Sequence, residues 1–230
     1  MSRKNIDRKF RIPRIWSNRE LKKFSHLFEG DIVNISGKND EDKEGFFYKN
    51  YFPNSASYSI TNFAEKKELI GKGSIFLDLE SKSLNNVLIG KFDVVFCHTV
   101  LEHTFDVFTS FRNLCLLSRD ILIIVIPYIQ QLHGIGYYDY WRFTPYTIKK
   151  LFEINHYNLL YCSSNGSDNS SIYLFCIGAK NREKWIGKIP ERFDLKIDES
   201  QPLYANDYTN VIGGNVVTNK SLQKKSFRFF

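Results

Sequence analysis

Two runs of aliphatic and β-branched residues constrain this chain more than anything else in it: Phe92-Asp-Val-Val-Phe-Cys97 and Asp120-Ile-Leu-Ile-Ile-Val-Ile126. Near-continuous apolar runs of this length belong to strands covered on both faces, the situation of a parallel sheet. Between them Phe105, Phe108, Phe111, Leu114 and Cys115 recur at helical spacing, which predicts a helix over residues 105–117. Strand, helix and strand in about 35 residues form a βαβ unit with a right-handed connection.

The rest of the pattern extends that unit. Residues 31–37, 56–62 and 74–79 read as three earlier strands, and residues 17–28 as a leading helix with Ser17-Asn18-Arg19-Glu20 as its capping box. Thr144-Pro145 opens a further helix through Phe152, with Thr144 as cap and Pro145 in the first position. Residues 157–162 and 171–179, joined by a polar turn, read as an antiparallel hairpin at the sheet edge. The expected architecture is α/β: a Rossmann-like, doubly wound, seven-stranded sheet, mostly parallel with an antiparallel terminal hairpin. Residues 1–30 would be a basic helical segment, 31–180 the catalytic domain, and 181–230 a polar extension.

Composition narrows the function classes. The longest apolar run, Ile121 to Ile126, is six residues, whereas a membrane span needs roughly 20. The polar, basic start predicts no secretory leader. Cys97, Cys115, Cys162 and Cys176 make no CxxC pair and sit in apolar stretches, as buried thiols in a reducing cytoplasm do. The net charge of +7 is concentrated at the ends, with nine Lys/Arg against three Asp/Glu in residues 1–30. Without an RNP-type motif or zinc finger this reads as a solubilising terminus ahead of a phosphate-bearing substrate, and not as a nucleic-acid surface. The acidic run Asp40-Glu-Asp-Lys-Glu44 reads as a solvated loop, so no metal site is expected. A homodimer remains open.

Sheets of this kind bind ligands beyond the carboxyl ends of their strands. The segments there are Phe92-Asp-Val-Val-Phe-Cys-His-Thr-Val-Leu-Glu-His103, the strand closed by Pro127, and Asp139-Tyr-Trp-Arg-Phe-Thr-Pro-Tyr146 before a helix. In order and spacing they resemble the class I S-adenosylmethionine-dependent methyltransferases, particularly those of surface-polysaccharide (capsule) gene clusters, over roughly residues 30 to 180. The resemblance implies S-adenosylmethionine as cofactor and S-adenosylhomocysteine as product. It implies that Asn34, Ser36 and Gly37 cradle the methionine and ribose, and that Asn62 holds the ribose hydroxyls. Asp78 would face the adenine amino group beside the Leu79 backbone, with His98 and Glu102 near the sulfonium. The family's first strand ends in an acid followed by alternate glycines; here Asn34 replaces the acid, and Ser36 and Lys38 replace glycines. Contacts rebuilt around Ser36, Gly37 and Asn62, weakened binding, and lost binding are the three outcomes this departure allows.

Methyl transfer to a hydroxyl benefits from a base near neutral pKa, which directs attention to histidine. His133, in the loop that covers the acceptor in this fold, is the first choice, with Asp139 as its orienting partner or as a base itself, and His103 as a helix-start residue or an acceptor contact. Tyr137, Tyr138, Tyr140 and Trp141 cluster with Arg142 as either a packed aromatic lid or a platform for a sugar ring, with Arg142 holding a phosphate or carboxylate and Tyr128 as a further substrate contact. The acceptor implied is a sugar or nucleotide sugar. A methyltransferase for another small metabolite, or a non-catalytic binding descendant, are the other readings.

Overall fold

The computed structural model describes residues 10–63, 74–134, 138–166 and 170–194. Tyr137, the basic residues beyond 194 and most of the C-terminal extension lie outside them. The elements are α1 (Arg11–Phe24), β1 (Gly30–Ile35), β2 (Ser55–Asn62), β3 (Ile75–Phe76), β4 (Phe92–His98), α2 (Val107–Leu117), β5 (Ser118–Ile129), α3 (Pro145–Ile154), β6 (Asn158–Ser164), β7 (Ile172–Ala179) and β8 (Arg192–Phe193). The strands form one sheet in the order β3-β2-β1-β4-β5-β7-β6-β8. Pairing is parallel from β3 to β5, antiparallel across β5–β7 and β7–β6, and parallel again at β8. The order reverses between β1 and β4, which places the crevice at that switch point.

The apolar runs build two cores. Successive strand residues point to opposite faces. Val33, Ile35, Val95, Cys97, Leu122 and Ile124 therefore meet Phe111, Leu114, Ile148 and Phe152 of α2 and α3. Ile32, Val94, Phe96, Ile121, Ile123 and Val125 meet Leu21 and Phe24 of α1 and Phe28, Tyr48 and Trp185 on the other face. Each fully buried aliphatic or aromatic side chain contributes about 1.5–3 kcal/mol of transfer free energy. All four cysteines are buried thiols, with Cys162 and Cys176 sulfurs 3.4 Å apart across the hairpin.

Four expectations need correction. The described residues hold eight strands, because the two-residue β8 pairs Arg192 with Tyr161 and Phe193 with Cys162 and covers the hairpin's outer edge. The first helix starts at Arg11, six residues before the expected cap. Ser17 sits inside it, where its hydroxyl donates to the Arg14 carbonyl one turn back, a use that competes with capping. The helix after β4 starts at Val107 with Asp106 accepting from Thr109 N, so Phe105 and Phe108 fall on the exposed side, and Val107, Phe111, Leu114 and Cys115 carry the buried face. Finally, Asp40 and Asp42 are buried, not solvated. Asp40 accepts from Asn34 Nδ2, Tyr58 OH and Lys49 N at 2.7–2.8 Å. Asp42 accepts from Asn18 Nδ2, the amides of Glu44 and Phe46, and Tyr51 OH. Buried carboxylates persist when hydrogen bonds replace water, and these two close the 40–48 loop over β1.

Candidate functional site

A crevice of about 1280 Å³ opens at the carboxyl ends of β1, β2 and β4. Asn34, Ser36, Gly37, Asn62, Asp78, Leu79 and His98 line it, as do His103, His133 and Tyr138. Its floor is the loop after β1. Ser36, Lys38 and Asp40 have φ of 52°, 49° and 62°, so alternate positions of the loop are left-handed although none is glycine. This conformation costs an L-residue about 1–2 kcal/mol, and neighbours hold it in place. Ser36 N donates to Thr61 Oγ1, Gly37 N to the Thr61 carbonyl, and Lys38 N to Asn62 Oδ1. A Cβ on Gly37 would lie 2.7 Å from Asn34 Nδ2 and 2.9 Å from Ile60 Cγ2, so the loop passes β1 and β2 too closely for a side chain there. Asn34 Nδ2 donates to Asp40 Oδ1, which anchors a carboxylate at the end of β1, though Asp40 itself does not line the crevice.

Lys38→Gly is expected to raise stability by about 0.5–1 kcal/mol. Relief of the left-handed conformation exceeds the extra unfolded-state entropy of glycine, and urea denaturation of the two proteins reads the difference.

The second strained position closes β4. Thr99 has a φ of 52°, rare for a β-branched residue, and donates its amide to the Val125 carbonyl at 2.7 Å. Strain of this kind concentrates at functional sites. Arg14 Nη2 from α1 donates to Thr99 Oγ1 at 2.8 Å, and Ser17 Oγ lies 2.9 Å from His98 Nε2. Burial holds His98 well below the usual histidine range. Placing the helix start at Ser17 left out Phe10 and Arg14, which both line the crevice; the sequence offered no periodic signal for them.

The far wall is the segment after β5. Asp139 is its hub: its Oδ2 accepts from His133 N at 2.8 Å and lies 2.7 Å from His133 Nδ1, and both carboxylate oxygens accept from Arg142. Burial works to raise the Asp139 pKa, but the Arg142 and His133 bonds outweigh it and hold the group below the usual carboxylate range. Burial lowers His133, and Asp139 opposes that shift only in part, which favours the neutral imidazole. His103 is likewise lowered by burial, against the pull of the Tyr138 carbonyl that accepts from its Nδ1 at 2.7 Å. The two imidazole rings meet edge to face at 5.0 Å.

Glu102 lies beneath them. Its side chain is 0% exposed, both carboxylate oxygens are without a hydrogen-bond partner, and burial pushes its pKa up to about 8. It does not line the crevice; its backbone carbonyl accepts from the amides of Tyr140 and Trp141, which ties the far wall to the turn after β4.

The aromatic and basic residues divide in two. Tyr138 and Tyr140 stand at the rim with ring centroids 5.7 Å apart, and Phe105 meets Tyr140 at 5.3 Å. Trp141 and Arg142 are anchors. Trp141 Nε1 donates to the Thr104 carbonyl and the ring rests on the core. Arg142 spends its donors on Asp139 and on the carbonyls of Gln130, Gln131 and Trp141, which corrects the expectation of an open guanidinium awaiting a phosphate. Tyr128 packs against the core and does not reach the crevice.

No protein-family model matches the sequence, and no curated protein does. Solved structures do match. The 1,6-didemethyltoxoflavin N1-methyltransferase of Burkholderia thailandensis, crystallised with 1,6-didemethyltoxoflavin and S-adenosylhomocysteine, aligns over 74% of this chain and 79% of its own at 16% identity and a TM-score of 0.50. An S-adenosylmethionine-dependent methyltransferase from Clostridium acetobutylicum covers 73% and 91% at 11% identity and 0.51. The YcgJ protein of Bacillus subtilis covers 73% and 99% at 11% identity and 0.51. The chain has the Rossmann-like methyltransferase fold, a mostly parallel sheet with an antiparallel hairpin, and shares it with enzymes at low sequence identity. Among the described residues, no helix is long and apolar enough to cross a membrane.

Proposed function

We propose that the chain is an S-adenosylmethionine-dependent O-methyltransferase whose acceptor is a sugar hydroxyl. The sugar is carried on a nucleotide or phosphate, is destined for a surface glycan such as a capsule, and is methylated in the cytoplasm. The observation that carries the cofactor part is the loop after β1. Its left-handed backbone at Ser36, Lys38 and Asp40 is the conformation that glycine adopts most readily, which supports a loop rebuilt without the glycines of the methyltransferases the sequence resembles. The residues fit the group: Asp78, Asn62 and Ser36 line one crevice, where Asp78 offers a carboxylate to an adenine amino edge and Asn62 and Ser36 offer polar groups to ribose hydroxyls. A volume of about 1280 Å³ exceeds the roughly 300–1,000 Å³ of single-ligand pockets, which supports a cofactor and an acceptor side by side.

Bound S-adenosylmethionine would supply a methyl group on a sulfonium. This chain's residues supply the rest. His133, whose Nδ1 stands 2.7 Å from Asp139 Oδ2, takes the proton from the acceptor hydroxyl as its oxygen attacks the methyl carbon. Asp139 fixes the imidazole and balances the charge that forms on it, as the buried acid of a triad does. Tyr138, Tyr140 and Phe105 offer ring faces to the apolar side of a sugar. Arg14, whose Nε is buried without a partner, is the cation for a phosphate.

The test is a panel of nucleotide sugars, sugar phosphates, amines and other small metabolites incubated with methyl-labelled S-adenosylmethionine. Label on a phosphate- or nucleotide-linked sugar is the expected result. Label confined to another acceptor class overturns the sugar assignment.

A further inference from the structure

Glu102, His103 and His133 present a cluster that the methyl-transfer scheme does not use as a unit. One ligand atom from each lies within 4.8 Å of the others, and the Glu102 Oε1 to His103 Nε2 distance is 3.8 Å. We propose that these three side chains form a binding site for a divalent transition-metal cation at the acceptor end of the crevice.

The argument starts from Glu102. A carboxyl group buried with neither oxygen hydrogen-bonded is costly to retain, and a cation shared with two imidazoles satisfies it. The layer behind the cluster has the form that metal sites require. Asp139 Oδ2 stands 2.7 Å from His133 Nδ1, and the Tyr138 carbonyl accepts from His103 Nδ1, which leaves His103 Nε2 on the Glu102 side. Histidine ligands are held in this way, by a carboxylate or a backbone carbonyl on the second nitrogen. Two imidazoles and one carboxylate suit zinc, iron(II), cobalt(II) or nickel(II) better than magnesium or calcium. Three protein ligands leave a position open, the pattern of a catalytic site and not of a structural one. Both histidines line the crevice, so that position faces the acceptor.

Tetrahedral coordination at about 2.0–2.1 Å needs ligand atoms roughly 3.4 Å apart, which side chains now within 4.8 Å of one another reach by closing at most about 1.4 Å. Spacing along the chain gave no hint of the site: Glu102 and His103 are adjacent and His133 is thirty residues away, on the segment after β5. Cation binding does not rest on the methyltransferase reading; only its use there does. With an ion in place His133 would be a ligand and not the base, and the ion would supply the acidity that lets the acceptor hydroxyl lose its proton to solvent.

Cobalt(II) titration of the chelator-treated full chain tests this. The expected result is one equivalent bound with visible d–d absorption, displaced by zinc(II). Glu102→Gln and His103→Ala, each shown by circular dichroism to be folded, are expected to bind at least tenfold more weakly. His26→Ala, an exposed histidine in the turn after α1, is expected to bind like the parent. No d–d band and no bound cobalt in the parent overturns the proposal, as does binding that survives unchanged in folded Glu102→Gln and His103→Ala. S-adenosylhomocysteine binding to the same metal-free protein reads the cofactor proposal separately, so the two fail independently.

Discussion

His133→Ala is expected to lower methyl transfer by about 10²–10⁴-fold, the usual contribution of a positioned general base, while S-adenosylhomocysteine affinity stays within about threefold of the parent. Initial rates on the acceptor found by the panel, with calorimetry for the product, measure both. The side chain is the imidazole of the far wall, paired to an ionised carboxylate and facing the crevice. Asp139→Asn is expected to lower the rate as well, since it removes the charge that balances an imidazolium and sets an NH2 donor against the Arg142 and His133 donors that the carboxylate accepts from. The loss at His133 is the same whether the ring acts alone or as a metal ligand; the cobalt titration separates those cases. A His133→Ala rate within threefold of the parent would move the base elsewhere.

The second large effect lies in the core. Gly178 on β7 has no side chain because the Phe152 ring lies across it: an added Cβ would stand 2.2 Å from Phe152 Cε1. Phe152 is fully buried and meets Phe111 edge to face at 5.1 Å, so the ring has nowhere to move. Gly178→Ala is therefore expected to cost about 2–3 kcal/mol, at the upper part of the overpacking range. In a chain of this size that is a fall in Tm of roughly 5–10 °C. Phe152→Leu alone leaves a cavity and destabilises, but combined with Gly178→Ala it is expected to cost less than the two singles together. Thermal unfolding of the four proteins checks this; strict additivity would mean that the ring and the glycine are not coupled.

These outcomes also show where the sequence was legible. The β4–α2–β5–α3 core could be read because buried strands and amphipathic helices impose periods on long apolar segments, and Thr144 and Pro145 marked a helix start by local chemistry. Features set by distant partners left no such trace. Asp40 and Asp42 looked like a solvated acidic run; their burial depends on Tyr58, Tyr51, Lys49 and Asn18, residues separated from them in sequence. The left-handed loop after β1 was hidden because Ser36, Lys38 and Asp40 pay a strain that glycine would not. Arg142 resembled an anion-binding residue until its neighbours' carbonyls came into view. Strand β8 is two residues long, too short for any periodicity to show. His133, Asp139 and His103 were singled out by chemistry alone, whereas their approach to Glu102 is a product of the fold.

The central claim is that the crevice after β1, β2 and β4 holds S-adenosylmethionine, and calorimetric titration with S-adenosylhomocysteine tests it most directly. The account predicts one site with a dissociation constant on the order of 1–100 μM, within the usual range of enzyme–ligand affinities, weakened at least tenfold by Asp78→Ala. No binding heat at millimolar ligand would contradict it.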